Sequence, residues 1–247
     1  MSARVSPGYR YHIPATEGPA FTVIEVAPLV PQDGSGYDGL AAQSLQIQAQ
    51  NLMDAYASMR RDLDTDQIVQ AVDPRSSKLV SREADRLRDA GRTALPGFQA
   101  RFAAPETAPE SEEQPKIAGL GLATDVRTDK HTYKLVRDLS ETGAAAAINI
   151  AVRPDSQGRG VGTVLLHALL KSLPEDTLLV GHAFSLTRPQ SPLFDRFGLK
   201  PVGAQATELL GGEKFNRNIY SGAAGGAVLQ VLEQAVPRLR TRELIET

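Results

Sequence analysis

Ile148-Asn-Ile-Ala-Val-Arg-Pro-Asp-Ser-Gln-Gly-Arg-Gly-Val-Gly-Thr-Val-Leu-Leu-His-Ala-Leu-Leu170 is the stretch whose reading decides the fold. Ile148 to Val152 reads as a buried strand, followed by a short polar turn and a glycine-rich loop from Gln157 to Gly162. A strongly apolar helix starts at once. Glycines at 158, 160 and 162 leave backbone N–H groups uncovered by side chains, just where a helix presents the positive end of its dipole. Such a loop suits an anion, above all a pyrophosphate.

Spacing separates the candidate phosphate binders. A P-loop needs Lys-Ser or Lys-Thr after its last glycine, but Gly162 is followed by Thr163-Val164. A dinucleotide fingerprint needs a third glycine where Thr163 stands, and a first glycine tight against the strand, whereas Arg153 to Gln157 intervene. The pattern that fits is Gln-x-x-Gly-x-Gly at Gln157, Gly160 and Gly162, after Ile150-Ala151-Val152 and Pro154. It resembles the acyl-CoA-binding motif of the GNAT acetyltransferase superfamily.

The resemblance implies that Ile150, Ala151 and Val152 line the pantetheine arm of acetyl-CoA. It implies equally that Gln157, Gly158, Arg159, Gly160, Val161, Gly162 and Thr163 hold the phosphates. A second segment agrees. Leu178-Leu-Val-Gly-His-Ala-Phe184 reads as a buried strand, and Leu193-Phe-Asp-Arg-Phe-Gly-Leu199 keeps the frame of the family's later helix, with Gly198 as its αL end. The likeness runs from about Lys116 to Tyr220 and is thin before that.

The 247 residues can bury a full core. Hydrophobic content of 41% and charged content of 23% are ordinary for a globular chain. A net charge of −2 argues against a generally nucleic-acid-binding surface. Without cysteine there is no disulfide, thiol nucleophile or cysteine metal site, and no His or carboxylate cluster has metal-ligand spacing, so no metal is expected. Pro7, Pro14 and Pro19 interrupt any signal segment, and no apolar run approaches the roughly 20 residues of a membrane span. The reading is a soluble cytoplasmic protein; a homodimer stays open.

Along the chain, residues 1–20 read as an N-terminal arm and Phe21 to Val30 as a first strand, at least to Ala27. Leu45, Ala49, Leu52, Tyr56, Met59 and Leu63 mark an amphipathic helix; Asp66 to Val72 and Lys78 to Ala90 read as two more. Gly97 to Ala103 reads as a short strand, and residues 104–115 as a mobile, acidic, proline-rich loop. Strands follow at Lys116 to Arg127 and Ala144 to Val152, with a charged loop from Arg127 to Lys134 between them. Val161 to Lys171 is a helix buried on most of its surface, its polar stripe of Thr163, His167 and Lys171 taken as exposed. Lys200 to Leu209 and Lys214 to Tyr220 read as antiparallel strands, and a last helix begins residues 223–247 and stops at Pro237. The class is α/β: a GNAT-like mixed central β-sheet flanked by helices, with an N-terminal helical segment and a C-terminal helix, in one domain over 21–222.

Acetyl transfer to an amine needs a neutral nucleophile, hence a base. Many members of the family place a carboxylate base on the strand before the Tyr helix, twelve residues ahead of that Tyr. Here the count from Phe194 lands on His182. Imidazole titrates near neutrality without large tuning. The sequence departs from the family twice: the Tyr assigned as general acid is Phe194, and the Asn that contacts the cofactor is Thr187. Tyr220, Ser185, Ser191 or water could take the donor's place. His12 and His131 have no spacing partner. The reading is an acetyl-CoA-dependent N-acetyltransferase acting on a small-molecule or protein amine. A CoA-binding module with weakened catalysis, and a toxin-like enzyme acting on aminoacyl-tRNA, stay open.

Overall fold

The computed structural model describes residues 8–14, 21–29, 36–58, 75–92, 95–103, 117–140, 143–184, 197–208, 214–240 and 242–245. Its strands are β1 Gly8–Pro14, β2 Phe21–Pro28, β3 Gly97–Phe102, β4 Gly119–Asp125, β5 Ala145–Val152, β6 Leu178–Phe184, β7 Lys200–Glu208, β8 Lys214–Ser221 and β9 Arg242–Ile245. Its helices are α1 Gly36–Ser58, α2 Ser77–Arg92, α3 Lys130–Val136, α4 Val161–Ser172 and α5 Gly225–Ala235. The described strands form one sheet in the order β7-β8-β6-β5-β4-β3-β2-β1-β9. β5 and β6 run parallel, and the other neighbouring pairs run antiparallel. This is the mixed, helix-flanked α/β sheet expected.

Strand alternation assigns the two faces. On one, Leu120 and Leu122 of β4 pack with Tyr37, Ala41 and Ile47 of α1 and Ala84 and Leu87 of α2. On the other, Tyr9, Tyr11, Ile24, Val26 and Phe98 meet Val161, Val164, Leu165 and Leu169 of α4. Val164, Leu165 and Leu169 are fully buried. Each such side chain contributes roughly 1.5–3 kcal/mol of burial free energy. Helix α4 comes this close because β4 presents Gly119 and Gly121 beneath it. A Cβ on Gly119 would lie 2.9 Å from the Ala151 carbonyl oxygen and 3.0 Å from Val161.

Four elements differ from the sequence reading. Gly8–Pro14, taken as part of an arm, is a strand between β2 and β9. Arg242–Ile245, in the charged tail, is the strand that pairs with it. The Arg127 to Lys134 loop contains α3, whose Asp129 N-cap accepts from the His131 and Thr132 amides. His167 is buried rather than exposed. Its Nδ1 lies 2.8 Å from the Tyr11 hydroxyl and its Nε2 3.0 Å from Glu233 Oε1, which also meets Lys171 Nζ at 3.3 Å. Apolar neighbours tolerate that imidazole because both ring nitrogens are satisfied. The expected helix at 66–72, the acidic loop at 104–115 and the segment carrying Ser185, Thr187, Ser191 and Phe194 lie outside the described residues.

Candidate active site

The parallel pairing of β5 with β6 runs from Ala145↔Leu178 to Ile148↔Gly181 and stops. Beyond it, β5 continues to Val152 on β4, and β6 continues to Phe184 on β8. The two strands therefore splay apart. An edge of β5 from Asn149 to Val152 faces the opening, free of strand pairing on that side among the described residues. Such an edge can bond an extended ligand as if it were a further strand. Beneath the splay lies a cavity of about 180 Å³, lined by Ile148, Ile150, Leu166, His182, Phe197 and Val228 among others. Its lining side chains are apolar apart from the His182 imidazole. A roomier cavity of about 520 Å³, bordered by Asp125, Arg127 and Tyr133, sits at the other end of these strands. It has neither a glycine loop nor a splayed edge.

At the wide end of the splay, Arg153 to Gly160 turns the chain from β5 into α4. Gly158 and Gly160 have φ of 73° and 88°, which L side chains rarely adopt. Gly160 is the N-cap of α4, and no side chain caps the helix. The first-turn amides thus depend on something other than helical carbonyls for a partner. A Cβ on Gly162 would lie 3.5 Å from Val152 Cγ2 and 4.0 Å from Ile150 Cγ2, so the groove between helix start and strand edge is open by one methyl. The Arg159 guanidinium rests 3.9 Å from the centroid of the Phe102 ring, which anchors this part of the loop to β3. Gln157 Nε2 donates to Asn51 Oδ1 at 3.2 Å, tying the loop to α1. A hydrogen bond from Ser156, with help from Arg153, holds the Asp155 carboxyl below its ordinary range despite partial desolvation.

His182 projects from β6 on the face that carries α3. Its Nε2 lies 3.4 Å from Thr132 Oγ1, and Thr132 Oγ1 donates to Asp129 Oδ2 at 2.8 Å. Two further polar groups border this face. Asn149 is exposed on β5, and its Nδ2 donates to Thr124 Oγ1 of β4 at 3.4 Å. At the end of β4, hydrogen bonds from Arg127 lower the Asp125 pKa.

The structure puts Ile150 and His182 in the lining of one cavity, and Val152 and the Gln157 to Thr163 loop follow at the end of β5 and the start of α4. Tyr220 takes the other face of the sheet from His182. Tyr220 is fully buried, pairs with Gly181, and packs in the core under α4 and α5 with Leu179 and Val228. Its ladder neighbour Ile219 points to the α3 face, opposite His182. Tyr220 and His182 thus lie on opposite faces of the sheet. Asn149, Thr124, Thr132 and Asp129 escaped the sequence reading. A lone Asn in Ala-Ala-Ala-Ile-Asn-Ile-Ala-Val was a usable signal, because a polar side chain inside an apolar strand needs a reason. Thr132 and Asp129 carried no comparable signal.

Residues 80–198 match the model of the Acetyltransferase (GNAT) family. A putative acetyltransferase from Acinetobacter baylyi ADP1 shares the fold, with a TM-score of 0.50 at 14% identity over 82% of this chain and 93% of that one. Arabidopsis thaliana NAA60, solved with acetyl-CoA, has a TM-score of 0.47 at 16% identity, covering 80% of this chain and 97% of that one. A GNAT-family acetyltransferase from Streptococcus pneumoniae has a TM-score of 0.46 at 12% identity, covering 80% and 98% respectively. No curated protein sequence matches the chain.

Proposed function

We propose, from the match of residues 80–198 to the Acetyltransferase (GNAT) family, that this chain transfers the acetyl group of acetyl-CoA to an amine. The observation that carries the reading is the succession along β5 and α4 of a strand edge left unpaired where β6 diverges, beside a cavity that His182 lines, and a helix start with no side-chain cap.

Each part has a separate task. The amides of the Gln157 to Thr163 loop and the α4 dipole would hold the pyrophosphate. The β5 edge at Ile150, Ala151 and Val152 would bond the pantetheine amides, and the apolar cavity would exclude water from the thioester end. Bound there, acetyl-CoA supplies the acyl group and a thiolate leaving group. The chain's own chemistry is proton handling and orientation. His182 would accept the proton of an acceptor amine approaching on the α3 face, where Asn149 and Thr124 are placed to orient it. With Phe194 at the family's Tyr position and Tyr220 in the core, water is the donor to the departing sulfur in this reading. Because thiolate is a good leaving group, turnover does not require a side-chain acid.

The lack of a placed acid among the described residues supports a second reading, a module that binds CoA without turnover. Net charge of −2 makes an aminoacyl-tRNA acceptor the weaker alternative. Incubation of the full chain with labelled acetyl-CoA and a broad panel of amines separates catalyst from binder. Transfer to any amine, reduced about 10²–10⁴-fold in His182→Ala with CoA affinity retained, supports the enzyme and the base. Calorimetry showing CoA binding with no transfer to any amine supports the module. Absence of CoA binding would overturn both.

A further inference from the structure

We infer that Asp129 and Thr132 are positioning residues for His182: they fix its tautomer and stabilise its protonated form. The function of the relay rests on the reading of His182 as the base; its geometry does not.

The argument is one of hydrogen counting. An ionised Asp129 has no proton to give, so the 2.8 Å contact from Thr132 Oγ1 to Asp129 Oδ2 consumes the hydroxyl's single hydrogen. The Thr132 oxygen can then only accept from His182, across 3.4 Å. Nε2 of His182 therefore carries hydrogen, and the neutral ring keeps its lone pair on Nδ1. Proton uptake must occur at Nδ1. The resulting imidazolium would have its Nε2–H directed, through one hydroxyl, at a carboxylate.

The relay is held from both ends. Asp129 Oδ1 accepts from the His131 and Thr132 amides at 3.1 and 3.2 Å, so the carboxylate is fixed by capping α3. Thr132 is fully buried, and α3 is seated on β6 and β8 through Val136, Val180 and Ile219. By register Arg217 of β8, two residues from Ile219, shares the face of His182. Lys130, His131, Tyr133 and Lys134 of α3 are exposed. Asp125 of β4 is bound to Arg127. β5 contributes the neutral Asn149, and β8 sets Ile219 opposite His182. Asp129 is the carboxylate hydrogen-bonded, through Thr132, to the imidazole.

The test reads the imidazole directly. Protein labelled with ¹⁵N-histidine has four histidines, and the His182 signals are those absent from His182→Ala. Long-range ¹H–¹⁵N spectra across a pH series report tautomer and pKa without any acceptor. The expected wild-type ring is the Nε2–H tautomer. Thr132→Val preserves shape and burial but removes the hydroxyl; Asp129→Asn preserves the cap but removes the charge. Each should mix the tautomers and lower the His182 pKa by roughly half a unit or more, because the imidazolium loses its partner. Thr132→Ser should restore both. A wild-type Nδ1–H tautomer, or a spectrum unchanged in folded Thr132→Val, overturns the relay. If His182→Ala also abolishes acetyl transfer, such a spectrum leaves the base reading standing. Full transfer by His182→Ala with the relay intact overturns the base alone.

Discussion

Replacing Gly162 by alanine should move stability and cofactor binding in opposite directions. Gly162 lies in the first turn of α4, and its φ is outside the left-handed region. Its new methyl would meet Val152 Cγ2 at 3.5 Å and Ile150 Cγ2 at 4.0 Å, ordinary contacts that require no repacking. Removing a glycine from a helix then favours folding by about 0.5–1 kcal/mol, chiefly through unfolded-state entropy. For a chain this long that raises Tm by roughly 1–4 °C. The methyl, however, fills the opening between the helix start and the β5 edge, where the phosphate end of the cofactor would approach. Displacing the phosphates from even one charge-assisted hydrogen bond costs about 1.5–3 kcal/mol. CoA affinity should fall at least about tenfold. Gly160→Ala is the control: at φ of 88° it should cost about 1–2 kcal/mol of stability as well as affinity. Scanning calorimetry without ligand gives Tm, and isothermal titration with CoA gives Kd. A Gly162→Ala protein of raised Tm and unchanged Kd would refute the assignment of this groove to the cofactor.

Two further outcomes test the fold around the site. Gly119→Ala should destabilise by about 1–3 kcal/mol, since its Cβ would meet the Ala151 carbonyl oxygen at 2.9 Å and neither strand can retreat; thermal melts would check this. Desolvation raises the Glu233 pKa, but hydrogen bonds from His167 and Lys171 outweigh it and leave it below the ordinary 4.5. A carboxyl depressed in the folded state contributes stability that is full above the unfolded pKa and is lost as pH falls through the folded one. The Tm advantage of wild type over Glu233→Gln should therefore hold at pH 7 and shrink below about pH 4.5; a constant gap down to pH 3 would show that Glu233 carries no such linkage.

Sequence alone determined the glycine loop before α4 and the class of fold, because both rest on local chemistry. Glycines at 158 and 160 mark a backbone that L side chains resist, and the runs at 145–152 and 178–184, apolar but for Asn149 and His182, mark strands. Those signals are carried by neighbours in the chain. The base candidate was legible only through the spacing of a family frame, and the face that Tyr220 takes was not legible, for a physical reason. Strand alternation places consecutive residues on opposite faces, and only the register Gly181↔Tyr220 and His182↔Ile219 reveals which face each takes. Tertiary structure likewise decided the roles of Gly8–Pro14 and Arg242–Ile245, distant segments whose strand character depends on their pairing with each other. It turned His167 inward by supplying Tyr11 from one end of the chain and Glu233 from the other. It also set Thr132 and Asp129 beside His182, fifty residues away, a proximity that no local pattern encodes because packing of α3 on the sheet creates it.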